Sequence, residues 1–165
     1  MEKHFTATGF IIKNGQTLLL WHNKLQMWVP PGGHLEKNED PATAVLREIH
    51  EETGLTAKII PSLKPLSISY PTELQSPYTI LLEDSMGGKE RHQHIDFIYF
   101  CYITGNPKLA KQNDHPMLWV TENEIASGTL AQKTNGKLTG DLTNDVRILA
   151  MAAFKAEKEM TAVSL

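Results

Sequence analysis

Residues 33 to 55 read GHLEKNEDPATAVLREIHEETGL, and the fold follows from them. Asp40 ahead of Pro41 is an N-cap followed by the proline that suits a first helical position, and Gly54 after Thr53 is a C-terminal stop, so the stretch predicts a helix over 41–53. Ala42, Val45, Leu46 and Ile49 fall on one side at about 100° per residue, which gives this helix a core-facing stripe. Glu48, Glu51 and Glu52 stand at i, i+3 and i+4 and share another face. Just upstream, Pro30-Pro31-Gly32-Gly33 removes two backbone donors and then grants two permissive positions, which predicts a shaped loop suited to a ligand.

Like charges gathered on one helical face are destabilising unless something neutralises them. A hard divalent cation with oxygen ligands does this naturally, and Mg²⁺, which keeps several waters and binds through a few carboxylates plus substrate phosphates, suits the pattern. Such an ion would polarise phosphoryl oxygens and lower the pKa of an attacking water, with a nearby carboxylate to take its proton. The alternative for an isolated EIHEE is a solvated acidic face. The wider spacing argues against that: Gly33, five residues, Glu39, seven residues, Arg47-Glu48-Ile49, one residue, Glu51-Glu52, one residue, Gly54-Leu55. Nine specified positions arise by chance in a chain of this length with a probability on the order of 10⁻⁸.

This stretch resembles the signature of the Nudix hydrolase family, G-x5-E-x7-R-E-U-x-E-E-x-G-U with U a bulky aliphatic, at every specified position. The resemblance implies an α/β fold, the Nudix-type α/β/α sandwich with a mixed central sheet. It also implies an enzyme, a pyrophosphohydrolase that uses Mg²⁺, or Mn²⁺ in its place, to cleave a pyrophosphate bond in a nucleoside diphosphate linked to a further group X. Carried over residue by residue, it makes Glu51 and Glu52 the main metal ligands, Glu48 a further ligand or the general base, and the Gly32 carbonyl a backbone ligand. Arg47 is implied to orient the carboxylates, a task its planar fork suits. Glu39 either takes part or serves the helix amino terminus as a favourable charge. Relatives that sense a nucleotide without cleaving it form the rival reading, and they usually lack part of the box that is complete here.

Outside the box, residues 5–13 and 17–22 are β-rich and flank Asn14-Gly15, a hairpin turn signal. Residues 57–60, 66–70, 78–82, 94–103 and 117–120 read as further strands, 85–91 as a polar loop, and 123–127 and 143–160 as helices, the latter with Leu149, Ala153 and Phe154 for packing. His92, His94 and Asp96 alternate at the start of a strand and share a face. They have three uses: lining the cleft as an extra base or ligand, structural hydrogen bonding, or holding zinc, for which one strand supplies few ligands. Glu83 and Glu90 are candidates for a downstream carboxylate. Trp21, Trp28 and Trp119 are either core residues or stacking platforms, and Trp28, beside the Pro-Gly loop, is the one placed to contact a base. Pro71 lies sixteen positions after Leu55, a placement resembling the ADP-ribose-hydrolysing subgroup. ADP-ribose-like substrates are therefore expected ahead of nucleoside triphosphates cleared from the pool, with dinucleoside polyphosphates third.

The 165 residues, 41% hydrophobic and 21% charged, with no internal repeat or low-complexity tract, suit one domain over 1–165 and exclude disordered, collagenous and disulfide-rich classes. With 16 basic against 19 acidic residues, a net charge of -3 makes bulk nucleic-acid binding a poor reading, and an RNA 5′-end hydrolase would want a basic track. Cys101 is the single cysteine, set in an apolar run, so it is expected to be a buried, inert thiol in a reducing compartment. MEKHFTATGF has no apolar stretch of signal-peptide length and no run approaches the ~20 residues of a membrane span, so a cytoplasmic location is expected. The partner expected is a small-molecule nucleotide, and a homodimer is compatible with the family resemblance.

Overall fold

The longest strands carry the β-branched and aromatic runs, and they lie side by side at the centre of the molecule. The computed structural model describes residues 1–85, 91–103, 116–128, 130 and 142–163. In chain order the elements are β1 (Glu2–Lys13), β2 (Gln16–His22), β3 (Met27–Val29), β4 (Gly32–His34), α1 (Pro41–Thr53), β5 (Ala57–Ile59), β6 (Thr79–Asp84), β7 (His92–Ile103), β8 (Met117–Thr121), α2 (Glu122–Ser127) and α3 (Asn144–Val163). All eight strands belong to one sheet with the central order β3-β2-β1-β7-β5, while β4 joins β1, β6 joins β7 and β8 joins β2. The β1–β7 pair is parallel and the remaining pairs are antiparallel, so the sheet is mixed.

The period of two along β1 and β7 sorts their side chains onto two faces. Phe10, Ile12, Ile98 and Phe100 meet α2 and α3 through Ile125, Val146, Ala150 and Phe154. Ala7, Ile11, Tyr99 and Cys101 meet Ala44, Val45 and Ile49 of α1 on the opposite face. A helix layer on each side of a mixed sheet is the α/β sandwich the sequence predicts. Gly9 belongs to the α1 face, and a Cβ there would lie 2.7 Å from Ile49 Cδ1 and 2.9 Å from Val45 Cγ2, so its lack of a side chain lets α1 approach the sheet closely.

Two expectations need correction or a boundary. Residues 66–70 form no strand: Ser67 has a φ of 59°, the Leu66 N–H donates to the Glu73 carboxylate, and Leu66 and Tyr70 are 75% and 87% exposed. Pro61, Pro65 and Pro71 around this segment deny a ladder the donors it needs, and propensity without a pairing partner makes no strand. Most of the polar loop at 85–91, including Glu90, lies outside the described residues. Cys101 is fully buried, and burial pushes its thiol up to about 12, so it is the inert core residue expected.

Candidate active site

Helix α1 begins and ends where its caps dictate. The Asp40 side chain accepts the N–H groups of Ala42 and Thr43 at 3.0 Å, and Gly54 closes the helix in the left-handed conformation at φ 71°. Its apolar face goes to the sheet, which leaves Glu48 and Glu52 against the β4 segment and Glu51 exposed beside Arg47. The N–H of Gly32 donates to Glu52 Oε2 at 3.0 Å. A Cβ at Gly33 would lie 2.5 Å from Glu48 Oε1 and 2.6 Å from its Cδ, so only glycine lets this carboxylate lie against the strand.

Arg47 ties the cluster together. Its Nε and Nη2 donate to the two oxygens of Glu39, both at 2.9 Å, its Nη1 donates to Glu48 at 2.8 Å and to Glu51 at 3.1 Å, and Nη2 also reaches the His34 carbonyl at 3.1 Å. This settles the position of Glu39, which forms a bidentate pair with Arg47 and also accepts the Glu36 N–H. The Arg47 hydrogen bond holds the Glu39 carboxyl below its ordinary range, and the surrounding carboxylates raise the Arg47 guanidinium further. One guanidinium thus counterbalances part of a charge set by four carboxylates. Hard oxygen donors on one helix turn, held beside the paired glycines of β4, have the chemistry a Mg²⁺-like cation requires, and the residues fit such an ion.

A cavity of about 340 Å³ opens beside this cluster. Thr6, Thr8, Gly32, Gly33, His34 and Asp96 give its lining polar groups, whereas Phe10, Ile98, Val146 and Leu149 give it apolar ones. Gly32 and Gly33, which line it, are also the residues that meet Glu52 and Glu48. Asp96 is 4% exposed and accepts the Thr6 hydroxyl at 2.9 Å and the Thr8 hydroxyl at 2.8 Å. Burial raises its pKa, the two hydroxyls oppose the shift, and nearby Glu83 is raised by burial and by the charges of Asp96 and Asp145.

The residues singled out in the sequence separate here. His94, Asp96 and Glu83 line the cavity with the β4 glycines, while His92 lies one step along β7 with its Nε2 3.1 Å from His94 Nε2. Trp28 is corrected: it is 1% exposed, packs edge-on against Trp21 and offers no face to a base. Trp119 packs in the α1-side core. Pro71 lies in the exposed segment that replaces the expected strand. Thr6, Thr8 and Asp145 escaped the sequence reading because nothing local marks them, and β1 and β7 meet only across some ninety positions of chain.

Comparison with known proteins places this geometry in a family. The NUDIX domain pattern matches residues 3–141. A Lactococcus lactis subsp. cremoris protein named "Probable DHNTP pyrophosphohydrolase" is 29% identical over 102 residues, covering 62% of this chain and 55% of its own length. An m7GpppN-mRNA hydrolase of Xenopus laevis is 28% identical over 131 residues, 76% of this chain and 41% of that protein. The chain thus spans about half the length of these curated relatives. A NUDIX family hydrolase from Clostridium perfringens has a similar structure, with a TM-score of 0.71 at 25% identity over 94% of this chain and 98% of that one. Divalent-metal use is typical of the family, and among the described residues no helix is long and apolar enough to cross a membrane. The carboxylate helix, the glycine strand it leans on and the match over 3–141 lead to one conclusion: the chain belongs to the NUDIX domain family.

Proposed function

We propose that the protein is a divalent-metal-dependent pyrophosphohydrolase acting on a nucleoside diphosphate linked to a further group. The observation that carries this reading is the set of Glu48, Glu51 and Glu52 on one face of α1, with Glu48 and Glu51 clamped by Arg47 and with Glu52 and Glu48 against Gly32 and Gly33, which also line a cavity of mixed polar and apolar character. Glu51 and Glu52 would hold Mg²⁺, with Mn²⁺ as a substitute, and the Gly32 carbonyl would complete the protein's share of ligands. When bound, the ion polarises the phosphoryl oxygens and offsets the charge of the diphosphate.

The residues supply the rest. Arg47 keeps Glu48 and Glu51 oriented, and Glu39 keeps Arg47 oriented. Water adds to one phosphorus as the bridging P–O bond breaks, and Glu48 would either accept the proton of that water or serve as a further ligand. The apolar lining of Phe10, Ile98, Val146 and Leu149 suits the flat ring of a nucleobase, and the lining at Gly32–His34, beside the α1 carboxylates, suits the phosphates. The position of Pro71 favours an ADP-ribose-like substrate. A second reading is a nucleoside triphosphate cleared from the pool, and the Lactococcus relative, named a probable DHNTP pyrophosphohydrolase, supports cleavage of a pyrophosphate bond without deciding between the two.

Mass-resolved product analysis with Mg²⁺ tests the proposal on ADP-ribose, the common and oxidised nucleoside triphosphates, and diadenosine polyphosphates. The Glu51→Gln/Glu52→Gln double variant is the blank. Cleavage of one class that disappears in the variant supports the reading and names the class. A folded protein that binds nucleotide and releases no product with either Mg²⁺ or Mn²⁺ overturns it in favour of a nucleotide sensor.

A further inference from the structure

Four histidines from three strands converge at the mouth of the cavity, apart from the carboxylates of α1. His4 lies on β1, His34 ends β4, and His92 and His94 open β7. The sheet register brings them together. β1 and β7 run parallel with His4 opposite His94 and Glu2 opposite His92, so the period of two puts His4, His92 and His94 on one face. β4 pairs antiparallel with β1, and Thr6 opposite His34 delivers the fourth ring to the same corner. One ring nitrogen from each histidine lies within 4.8 Å of those of the other three, and the His92 and His94 Nε2 atoms are 3.1 Å apart.

We infer that His4, His34, His92 and His94 form a second metal site, selective for a transition cation of the Zn²⁺ class and distinct from the oxygen-donor site of α1. A tetrahedral Zn²⁺ with Zn–N bonds of about 2.0–2.1 Å needs four donors roughly 3.4 Å from one another, and these imidazoles reach that shell by small side-chain rotations. Borderline imidazole nitrogens prefer Zn²⁺, Cu²⁺ or Ni²⁺, whereas Mg²⁺ prefers carboxylates and water. The imidazole site therefore rejects Mg²⁺, and an excess of Mg²⁺ keeps the carboxylate site supplied with its own ion. A purely structural account leaves the quartet poorly explained, because a His92–His94 hydrogen bond uses one nitrogen of each ring, and protonation would place like charges together. Glu2 Oε1, 3.4 Å from His4 Nε2, lies where a carboxylate would orient a ligand ring.

The two sites meet at the backbone of His34. The His34 carbonyl accepts from Arg47 Nη2 at 3.1 Å, so an ion held by the imidazoles fixes the strand on which the box arginine leans. It also staples the start of β1 to β4 and β7 at the rim of the cavity.

The test uses the full chain without an affinity tag, stripped of metal, with Zn²⁺ titrated against a chromophoric chelator in millimolar Mg²⁺. One Zn²⁺ per chain is expected for the native protein and for Glu51→Gln/Glu52→Gln. His4→Asn and His92→Asn should each weaken binding at least about tenfold, with folding checked by circular dichroism. Co²⁺ in place of Zn²⁺ should give the visible absorption of a tetrahedral nitrogen site in the native chain, a readout that stands even where a histidine variant fails to fold. Equal Zn²⁺ affinity in both folded histidine variants, loss of Zn²⁺ in the glutamate variant alone, or an octahedral Co²⁺ spectrum would overturn the inference. So would a folded native chain that takes up no Zn²⁺.

Discussion

Replacing Arg47 with lysine keeps the positive charge and removes the fork, so it isolates what the geometry of the guanidinium contributes. The native side chain makes two parallel bonds to Glu39, one each to Glu48 and Glu51, and one to the His34 carbonyl. A lysine ammonium can satisfy one carboxylate well and cannot reproduce the paired bonds to Glu39. The Glu39 side chain is 10% exposed and would keep only the Glu36 N–H as a donor. A charge-assisted bond contributes about 1.5–3 kcal/mol, and a buried group left unpaired costs about 1–3 kcal/mol. Arg47 is itself 20% exposed, Glu51 is 57% exposed, and lysine retains the charge, so the sum must be discounted heavily. The expected net loss is about 2 kcal/mol, equivalent to roughly 1 M in the urea midpoint or about 4–8 °C in Tm. Because Arg47 lowers the folded pKa of Glu39, this stabilisation is full above the ordinary glutamate range and is lost as pH falls through the folded value. The gap between native protein and Arg47→Lys should therefore narrow in acid, and it should shrink in a Glu39→Gln background. A difference below about 0.5 kcal/mol at neutral pH, or one unaffected by Glu39→Gln, would refute the clamp.

Other outcomes follow from the same site. Glu52→Gln keeps an oxygen for the Gly32 N–H, so unfolding should be nearly unchanged while turnover falls by at least about a hundredfold, measured as product release with Mg²⁺. Gly33→Ala places a methyl against the Glu48 carboxylate and should weaken Mn²⁺ binding, read by electron paramagnetic resonance, with a stability change under about 1 kcal/mol because the obstacle is a side-chain end. With its thiol raised to about 12, Cys101 is thiolate in only about one molecule in ten thousand at pH 8 and is fully buried, so an aromatic disulfide reagent should find no thiol until the chain is denatured. Rapid reaction of the native protein would contradict that burial.

Helix α1 was legible because every signal that makes it is local: a cap, a proline, a 3.6-residue stripe and a terminal glycine within fifteen positions. The box carboxylates were legible for the same reason, since one helical turn fixes their mutual geometry whatever surrounds it. The cavity was not, because it depends on β1 and β7 running side by side. Asp96 could be placed on a face with His92 and His94 from sequence, but its partners Thr6 and Thr8 and the added rings of His4 and His34 arrive only with the register. A zinc reading that looked short of ligands on one strand gains two from elsewhere in the sheet. Residues 66–70 and Trp28 failed for opposite reasons, the first because β propensity without a partner makes no ladder, the second because position beside a loop says nothing of burial.

The central claim is that the α1 carboxylates drive attack of water on a substrate diphosphate. Turnover in ¹⁸O-labelled water tests it most directly, with products resolved by mass and the native chain run beside Glu51→Gln/Glu52→Gln. The account predicts one labelled oxygen per cleavage in a phosphoryl product of the native enzyme and none from the variant. Unlabelled products, or labelled turnover that survives in the variant, would contradict it.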